Sequence, residues 1–510
     1  MMWRATERVT AKLMLPSLVK LLARAWDSPT LNTWLSLFSR TVGGVVVLPT
    51  LLRRFDPGEV AVWYLFATII GIGMLLDLGI NPTLTRFVAY ANAGPRQHPG
   101  APPNASQPDL PTLYAAMRRL YLGMALAVVV LLGVVGTWAL SVPISRLDSP
   151  RTAYALWALI VLLSPLAFTN NLKLAFLQGS GFIAVVRRWD AVFGMLGILS
   201  NLAVLEYGLG LTGLVISTQV WGIVAAWRTK RIFNSKLGSM DRTERLTLRE
   251  TGSAIAMIWP SSWRVGLGSI AYLGAQHSSG LIYATMGPKE RLASYLLGIQ
   301  VFNIIRASSM APFYTKLPVL ARMSAEGRVG EVRATAGAGM VRSYWVFVAW
   351  AAGAGILVPY ILDSIGSKTR FPSDLLWGGI TIGGLLERFG GMHQNILAAF
   401  NVVRSHWAGL GFLVVYLGFV LGLIRALDVL AFPVAMIAGH VLFYSWYSGR
   451  HSYRALGTTF LGFERTKFLP AAVTMVVVVW ATMRMGPAIR ATLPVVPEWL
   501  KPASSSARQF

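Results

Sequence analysis

The feature that most constrains this chain is a series of a dozen apolar runs, each long enough to cross about 30 Å of hydrocarbon at 1.5 Å rise per helical residue. They cover 31–52, 60–83, 113–142, 152–176, 189–207, 210–228, 254–286, 291–320, 336–362, 374–401, 407–426 and 432–449, with a weaker thirteenth at 468–486. Composition agrees, because 55% of the 510 residues are hydrophobic and only 13% charged, against roughly a quarter charged in a soluble domain. The fold class expected is an all-α polytopic membrane protein. Connections between runs have about 5 to 25 residues, too short for a catalytic domain of the usual 50 or more. Any function therefore sits within the membrane bundle, and an enzyme is not expected.

The net charge of +25 would suggest nucleic acid as a partner in a soluble chain. Its distribution decides against that. With the N-terminus in the cytoplasm, segments on that side of the first twelve spans carry 29 Lys and Arg, and those on the other side carry 9. The positive-inside rule then fixes the orientation, and the basic excess reports topology and attraction to an anionic inner leaflet. Residues 1–30 read as a basic amphipathic segment on that inner surface, with Arg4, Arg8, Lys12, Lys20 and Arg24 set among leucines and no signal-peptide pattern. The chain has no cysteine, which excludes disulfides, thiol catalysis and Cys-ligated metals. No cofactor is expected.

A charged connection at 229–253 divides the chain near its middle. Landmarks recur on either side of it at nearly constant offset. Arg40 with Gly43 and Gly44 matches Arg264 with Gly266 and Gly268, and Asn171, Ala175 and Phe176 match Asn395, Ala399 and Phe400, all at offsets close to 224. Arg119 and Tyr121 pair with Arg342 and Tyr344, and Pro82, Thr85 and Arg86 with Pro312, Thr315 and Lys316, at slightly different offsets. Six spans per unit give repeats of the same orientation, related by an axis along the membrane normal. The expected organisation is a bundle over 31–228, a linker over 229–253, a second bundle over 254–450, and a loop, extra helix and tail over 451–510. Such paired bundles commonly hold substrate at their interface and alternate its access by rocking.

Ionisable residues at membrane depth cost about 2.5–3.5 kcal/mol or more each and tend to face a cavity or a partner. Here they are Arg40, Arg264, Arg306 and Arg388, the acids Asp77 and Glu387, and His277, His393 and His440. Two acids cannot neutralise four arginines, and guanidinium groups in a low-dielectric site bind phosphates, often bidentately. An anionic substrate follows, with Arg40 and Arg264 on opposite walls spaced for a pyrophosphate. The alternative is that each arginine is structural, tied to Asp77, Glu387 or a free carbonyl. Glu387 and Arg388 are adjacent on a helix and point about 100° apart, so direct pairing is not expected. Asp77 lies near Gly79 and Pro82, where it reads as a gate or coupling carboxylate, or Pro82 simply ends the span. The histidines read as packing residues, with no metal spacing among them. Trp259 and Trp263 beside Arg264 read either as interfacial belt or as stacking surfaces for a sugar.

The glycine-rich first span with Arg40, "LLRRFDPGEVAVWYLF", "LLDLGINPTLTRFVA" and "AFLQGSGFIAVVRRWD" together resemble the Wzx-type lipid-linked oligosaccharide flippases of the multidrug/oligosaccharidyl-lipid/polysaccharide exporter superfamily. The resemblance covers about residues 30–450 and implies two six-helix bundles in a V around an electropositive cavity. It also implies transfer of a polyprenyl-pyrophosphate oligosaccharide from the cytoplasmic leaflet of a bacterial inner membrane to its outer side, for polysaccharide export. Membrane lipids and the polysaccharide polymerase and chain-length machinery would be the partners. Arg40, Arg264, Arg306 and Arg388 would bind the headgroup, and Asp77 and Glu387 would serve coupling or gating. Two other functions compete. An ion-coupled drug or metabolite exporter of the same superfamily would put acids in the cavity, and a polyprenyl-sugar glycosyltransferase or polymerase would need longer outer loops than 143–151 and 363–373.

Overall fold

Helix is the regular element throughout the described residues of the computed structural model, which are 32, 35–36, 39, 47–92, 110–241, 247–400, 402 and 404–492. Of the first expected span, helix is described over 47–54, and Arg40 lies outside the described residues, as does the amphipathic segment 1–30. The remaining expected spans are each met by helix. They are α1 (Pro57–Met74) with α2 (Ile80–Asn92), α3 (Leu110–Ser145), α4 (Pro150–Gly179), α5 (Ile183–Glu206), α6 (Gly210–Leu237), α7 (Leu248–Met286), α8 (Lys289–Tyr314) with the short α9 (Leu317–Ala325), α10 (Val329–Ser364), α11 (Asp374–Ala399) and α12 (Ser405–Leu427). The chain then reverses at Asp428, whose φ of 52° is in the left-handed region, into α13 (Ala431–Gly439). A π turn, His440–Tyr444, joins this to α14 (Ser445–Leu456), and α15 (Phe460–Glu464) and α16 (Phe468–Thr492) follow.

Among the described residues, eight helical stretches are long and apolar enough to cross a membrane, and the thirteenth expected span, within α16, is one of them. Helices α7, α8 and α11 are as long but less apolar, because they carry Arg264, Gln276 and His277, then Asn303 and Arg306, then Glu387, Arg388 and His393. A helix that must present such groups to a cavity cannot be apolar on every face.

In the first half α4 is the hub, packing on α2, α3 and α6, while α5 packs on α6. In the second half α12 lies along both α7 and α13, α8 along α10, and α14 along α11. Small residues permit the closest of these approaches. A Cβ on Gly268 of α7 would stand 2.7 Å from the Ser405 carbonyl at the start of α12. Helix α16 lies on α10 and α11, so the additional span belongs to the second half.

The halves meet along α7 and α8. Helix α1 packs on both, and α2 and α3 pack on α7. At the end of the molecule holding connections 146–149, 287–288 and 365–373, three polar ties cross between halves: Lys368 Nζ to Asp56 Oδ1 (2.6 Å), Arg146 to the Gly287 carbonyl (2.8 Å) and the Ser367 hydroxyl to the Leu52 carbonyl (3.3 Å). At the other, basic end the tie is Arg119 to Thr251 Oγ1 (3.0 Å).

Candidate functional site

Two polar constellations at membrane depth stand out among the described residues, one in each half. In the first, α1 ends in a 3-10 turn over Leu75–Asp77, and Leu78 (φ 50°) and Gly79 (φ 67°) are consecutively left-handed before α2 begins. A β-carbon is disfavoured in that conformation, which makes glycine the natural residue at 79 and leaves Leu78 a strained position held by its surroundings. Pro82 falls in the first turn of α2, where a missing N–H costs little. The proline therefore does not end the span, and the break comes earlier, at 78–79.

Asp77 serves that break. Its Oδ1 accepts from the buried Tyr121 hydroxyl (2.6 Å) and its Oδ2 from the Asn81 backbone N–H (3.0 Å), one of the orphan donors at the start of α2. The Asn81 side-chain amide donates to the Asn171 carbonyl of α4 (3.1 Å), which fastens α2 to the hub helix. The break then rests on α7. A Cβ on Gly266 would stand 2.5 Å from the Leu78 backbone, and one on Gly79 would stand 2.8 Å from Val265. Thus the strained segment after Asp77 touches the residues directly following Arg264. Arg264 itself is exposed and lies over the Trp263 ring, 5.6 Å from its centroid, while Trp263 neighbours His406.

The second constellation joins three of the six residues expected at the site. Arg306 of α8 donates to Glu387 Oε1 of α11 (3.2 Å), and Arg388 reaches the same oxygen (3.3 Å). Adjacency on a helix does not prevent pairing after all, because the long arginine side chain bends back to its neighbour. Arg388 also donates to the Arg306 carbonyl (3.2 Å). Burial separates the two cations: the Arg306 side chain is 29% exposed, that of Arg388 only 5% and that of Glu387 7%. Two guanidiniums share one carboxylate, so the cluster has one positive charge in excess, and its accessible part is Arg306.

From Arg306 a chain of hydrogen bonds runs across the second half. Arg306 donates to Gln276 Oε1 (3.4 Å), and the Gln276 amide donates to the Tyr272 hydroxyl (3.0 Å). Tyr272 meets His440 Nε2 (3.1 Å), His440 Nδ1 meets Ser445 Oγ (3.0 Å), and Ser445 donates to the Leu386 carbonyl (2.8 Å). Every link is satisfied in one direction when His440 is neutral with its proton on Nδ1, so the network assigns that tautomer. His440 lies in the π turn, a local unwinding often found at functional positions. Gln276, Tyr272 and Tyr121 were not among the sequence candidates. For Tyr272 and Gln276 the signal was a pair of polar or hydroxyl-bearing residues four apart at membrane depth, and Tyr121 carried no such signal.

Arg306, Gln276, His277 and Asn303 line a cavity together with Ser279 and Tyr416 and with apolar residues that include Phe302 and Met436. His277 stands at its edge toward the first half, with its ring carbon 3.5 Å from where a Cβ of Gly71 on α1 would be. Among the described residues no group of three His, Cys, Asp or Glu is placed to hold a metal ion.

No known family matches the sequence. No curated protein matches it either. The fold, however, has solved counterparts. An inward-facing multidrug resistance MATE family transporter of the MOP superfamily aligns over 89% of this chain and 96% of its own, with TM-score 0.57 and 14% identity. The lipid II flippase MurJ, in an inward closed conformation, aligns over 90% of this chain and 100% of its own, with TM-score 0.57 and 11% identity. A MOP superfamily transporter from Pyrococcus furiosus, described by the reverse polarity of its binding pocket, aligns over 86% and 98%, with TM-score 0.55 and 14% identity. The chain is a multi-pass membrane protein with the paired-bundle fold of MOP superfamily transporters.

Proposed function

We propose that this chain translocates a polyprenyl-pyrophosphate-linked oligosaccharide across the bacterial cytoplasmic membrane for polysaccharide export, by alternating access between its two halves. The observation carrying this reading is the second constellation, in which one carboxylate is shared by two arginines and the surplus charge reaches the cavity through Arg306. A pyrophosphate supplies the missing negative charge and the acceptor oxygens a guanidinium can engage in pairs. Arg388 acts from behind, holding Glu387 and the Arg306 carbonyl. Arg264, exposed twelve residues and about 18 Å along α7 from Gln276, meets the headgroup on its way in, with Trp263 as the flat surface beside it. Arg40 belongs to the same set in this reading. Asp77 is the gating residue, since its bonds hold the strained turn that abuts α7. The basic end faces the cytoplasm, and the polar ties at the opposite end must open for release.

The apolar part of the cavity lining, Ile299, Phe302 and Ile380 among it, suits a second ligand class, an amphipathic organic anion exported as a drug or metabolite. One experiment separates the two. Lipid extracts of cells lacking the protein are analysed by mass spectrometry while polymer export is scored. Accumulation of a complete lipid-linked repeat unit with loss of export is expected. An unchanged lipid pool overturns the flippase reading in favour of the exporter. In complemented cells Arg306→Ala should abolish export and Arg306→Lys retain part of it, and full export by Arg306→Ala together with Arg264→Ala would remove the arginines from the site.

A further inference from the structure

Away from the seam, the second half carries a groove open to the surface between α11, α14 and the segment of α15 and α16. Its volume is about 630 Å³, within the range of about 300–1,000 Å³ that ligand sites occupy. The floor is buried and made by Phe389 of α11, Gly449 and Tyr453 of α14, and Phe468 of α16. Val441, Trp446 and Phe460 stand around it, each about half exposed. The wall formed by α15 is fastened from inside, because Glu464 Oε1 meets His393 Nε2 of α11 (3.1 Å) and accepts from the Tyr453 hydroxyl of α14 (3.2 Å).

Along this groove α14 and the π turn before it present one continuous stripe. Val441, Ser445 and Gly449 recur four residues apart, and so do Trp446, Arg450 and Arg454. The stripe is apolar toward the π turn and basic toward the end of α14. Arg450 lies over the Trp446 ring, 5.3 Å from its centroid. Arg454, in the last turn, suits the negative end of the helix, whereas Arg450 stands a turn earlier and repels it. No acid lines the groove with them.

The dimensions are those of one leaflet. Val441 is at the middle of the apolar run 432–449, and Arg450 follows directly after its end. The nine residues between them span about 14 Å along the axis, against about 15 Å for half of the hydrocarbon layer. An apolar channel thus starts near the bilayer midplane and ends at two guanidiniums at headgroup depth. With the basic end in the cytoplasm, that headgroup layer is the anionic inner one.

We propose that this groove binds an anionic phospholipid of the cytoplasmic leaflet, with its phosphate on Arg450 and Arg454 and one acyl chain laid along α14 to Val441. Two guanidiniums without an acid between them suit a phosphate, which they can engage in pairs. A zwitterionic headgroup would bring its own ammonium into the same basic rim, so charge complementarity selects the anionic lipid. The lipid braces the second half. Leu386, His440 and Ser445 line the groove and also close the hydrogen-bond chain from Arg306, so the acyl chain packs on that end and holds α14 against α11. None of this depends on what the protein carries.

The full chain, purified in detergent and stripped of lipid, is titrated with phosphatidylglycerol or with phosphatidylcholine of the same chains. Bound lipid is counted by native mass spectrometry and thermal unfolding is followed in parallel. The wild type should take one phosphatidylglycerol on the order of tenfold more tightly than phosphatidylcholine, as two arginines near the surface imply, and only the anionic lipid should raise the unfolding midpoint. Arg450→Gln with Arg454→Gln should bind both lipids alike and lose that rise. Lys230→Gln with Arg231→Gln, the same charge change at the basic end of α6, should behave as wild type. Val441→Trp, which blocks the far end of the groove and keeps both arginines, should weaken binding several-fold and reads the site if the arginine variant does not fold. Equal affinity of the wild type for the two lipids, or an undiminished preference in the arginine variant, overturns the proposal. So does one-for-one displacement of phosphatidylglycerol by a short-chain polyprenyl diphosphate sugar, which would give the groove to the carried lipid and leave the transport reading standing.

Discussion

Asp77 in the first half and Glu387 in the second are settled in opposite ways. The first half holds an acid, Asp77, with neutral donors only, a tyrosine hydroxyl and a backbone N–H. The second holds an acid between two arginines and keeps one positive charge over. In the first half the carboxylate supports a broken helix, and nothing of it is left to attract an anion. In the second the carboxylate fixes the geometry of guanidiniums, one of which reaches the cavity. Backbone strain thus lies on one side and surplus positive charge on the other.

The sharpest way to break this contrast is to remove Glu387. Glu387→Ala leaves Arg388 buried with an unpaired charge, and losing one member of a buried ion pair costs about 3–5 kcal/mol. Purified in detergent, the variant should unfold at a much lower denaturant concentration than wild type. Replacing both members, as in Glu387→Met with Arg388→Met, should recover most of that loss, because a buried pair is often replaceable by apolar residues of similar size. If the single and double variants are equally unstable, the carboxylate is not there to hold the guanidiniums, and the contrast fails.

The hinge side is tested by steric means. Gly266→Ala places a methyl 2.5 Å from backbone atoms of Leu78, which cannot rotate away, and overpacking of this kind costs about 1–3 kcal/mol. Thermal unfolding should report that loss, and Gly274→Ala on the same helix, where a Cβ meets nothing within 4 Å, is its control. Removing the Tyr121 hydroxyl is milder. Tyr121→Phe takes one of two charge-assisted donors from Asp77, a loss of about 1.5–3 kcal/mol at most. Hydrogen exchange at the first amides of α2 should accelerate, and equal rates in variant and wild type would detach Asp77 from the hinge.

Much of this fold is legible in the sequence, since span length and charge asymmetry depend on the bilayer rather than on distant contacts. Asp77 and the Arg306, Glu387 and Arg388 group were also visible as charges at apolar depth. What the sequence could not supply was direction. The pairing of Glu387 with Arg388 depends on an arginine side chain folding back, which helical spacing does not encode. The break at Leu78–Gly79 preceded the proline that seemed to mark it, because backbone handedness is set by packing on Gly266. Glu464 lies in the connection before α16, yet its side chain is buried against His393 of α11, a contact that the sequence pattern does not encode.

The smallest effect is expected where the halves meet at the basic end, and it tests whether their seam depends on a helix cap. Thr247 and Glu250 cap α7 mutually: the Glu250 N–H donates to Thr247 Oγ1 (3.2 Å), and the Thr247 N–H donates to Glu250 Oε2 (2.7 Å). That backbone bond, with the Thr247 hydroxyl, holds the Glu250 carboxyl below its ordinary range. A depressed acid contributes stability that is fully present above the ordinary carboxylate pKa and is lost as pH falls through the lower, folded value. Acidification should therefore fray the start of α7, seen as faster exchange of the Thr251 amide after correction for intrinsic rates. Thr251 also receives Arg119 from the first half, so fraying should weaken that tie as well. Thr247→Ala should produce the same faster exchange at neutral pH, and Glu250→Gln should remove most of its acid dependence. If exchange at Thr251 is indifferent to both acid and substitution, the seam at this end is held by α2 and α3 on α7 alone.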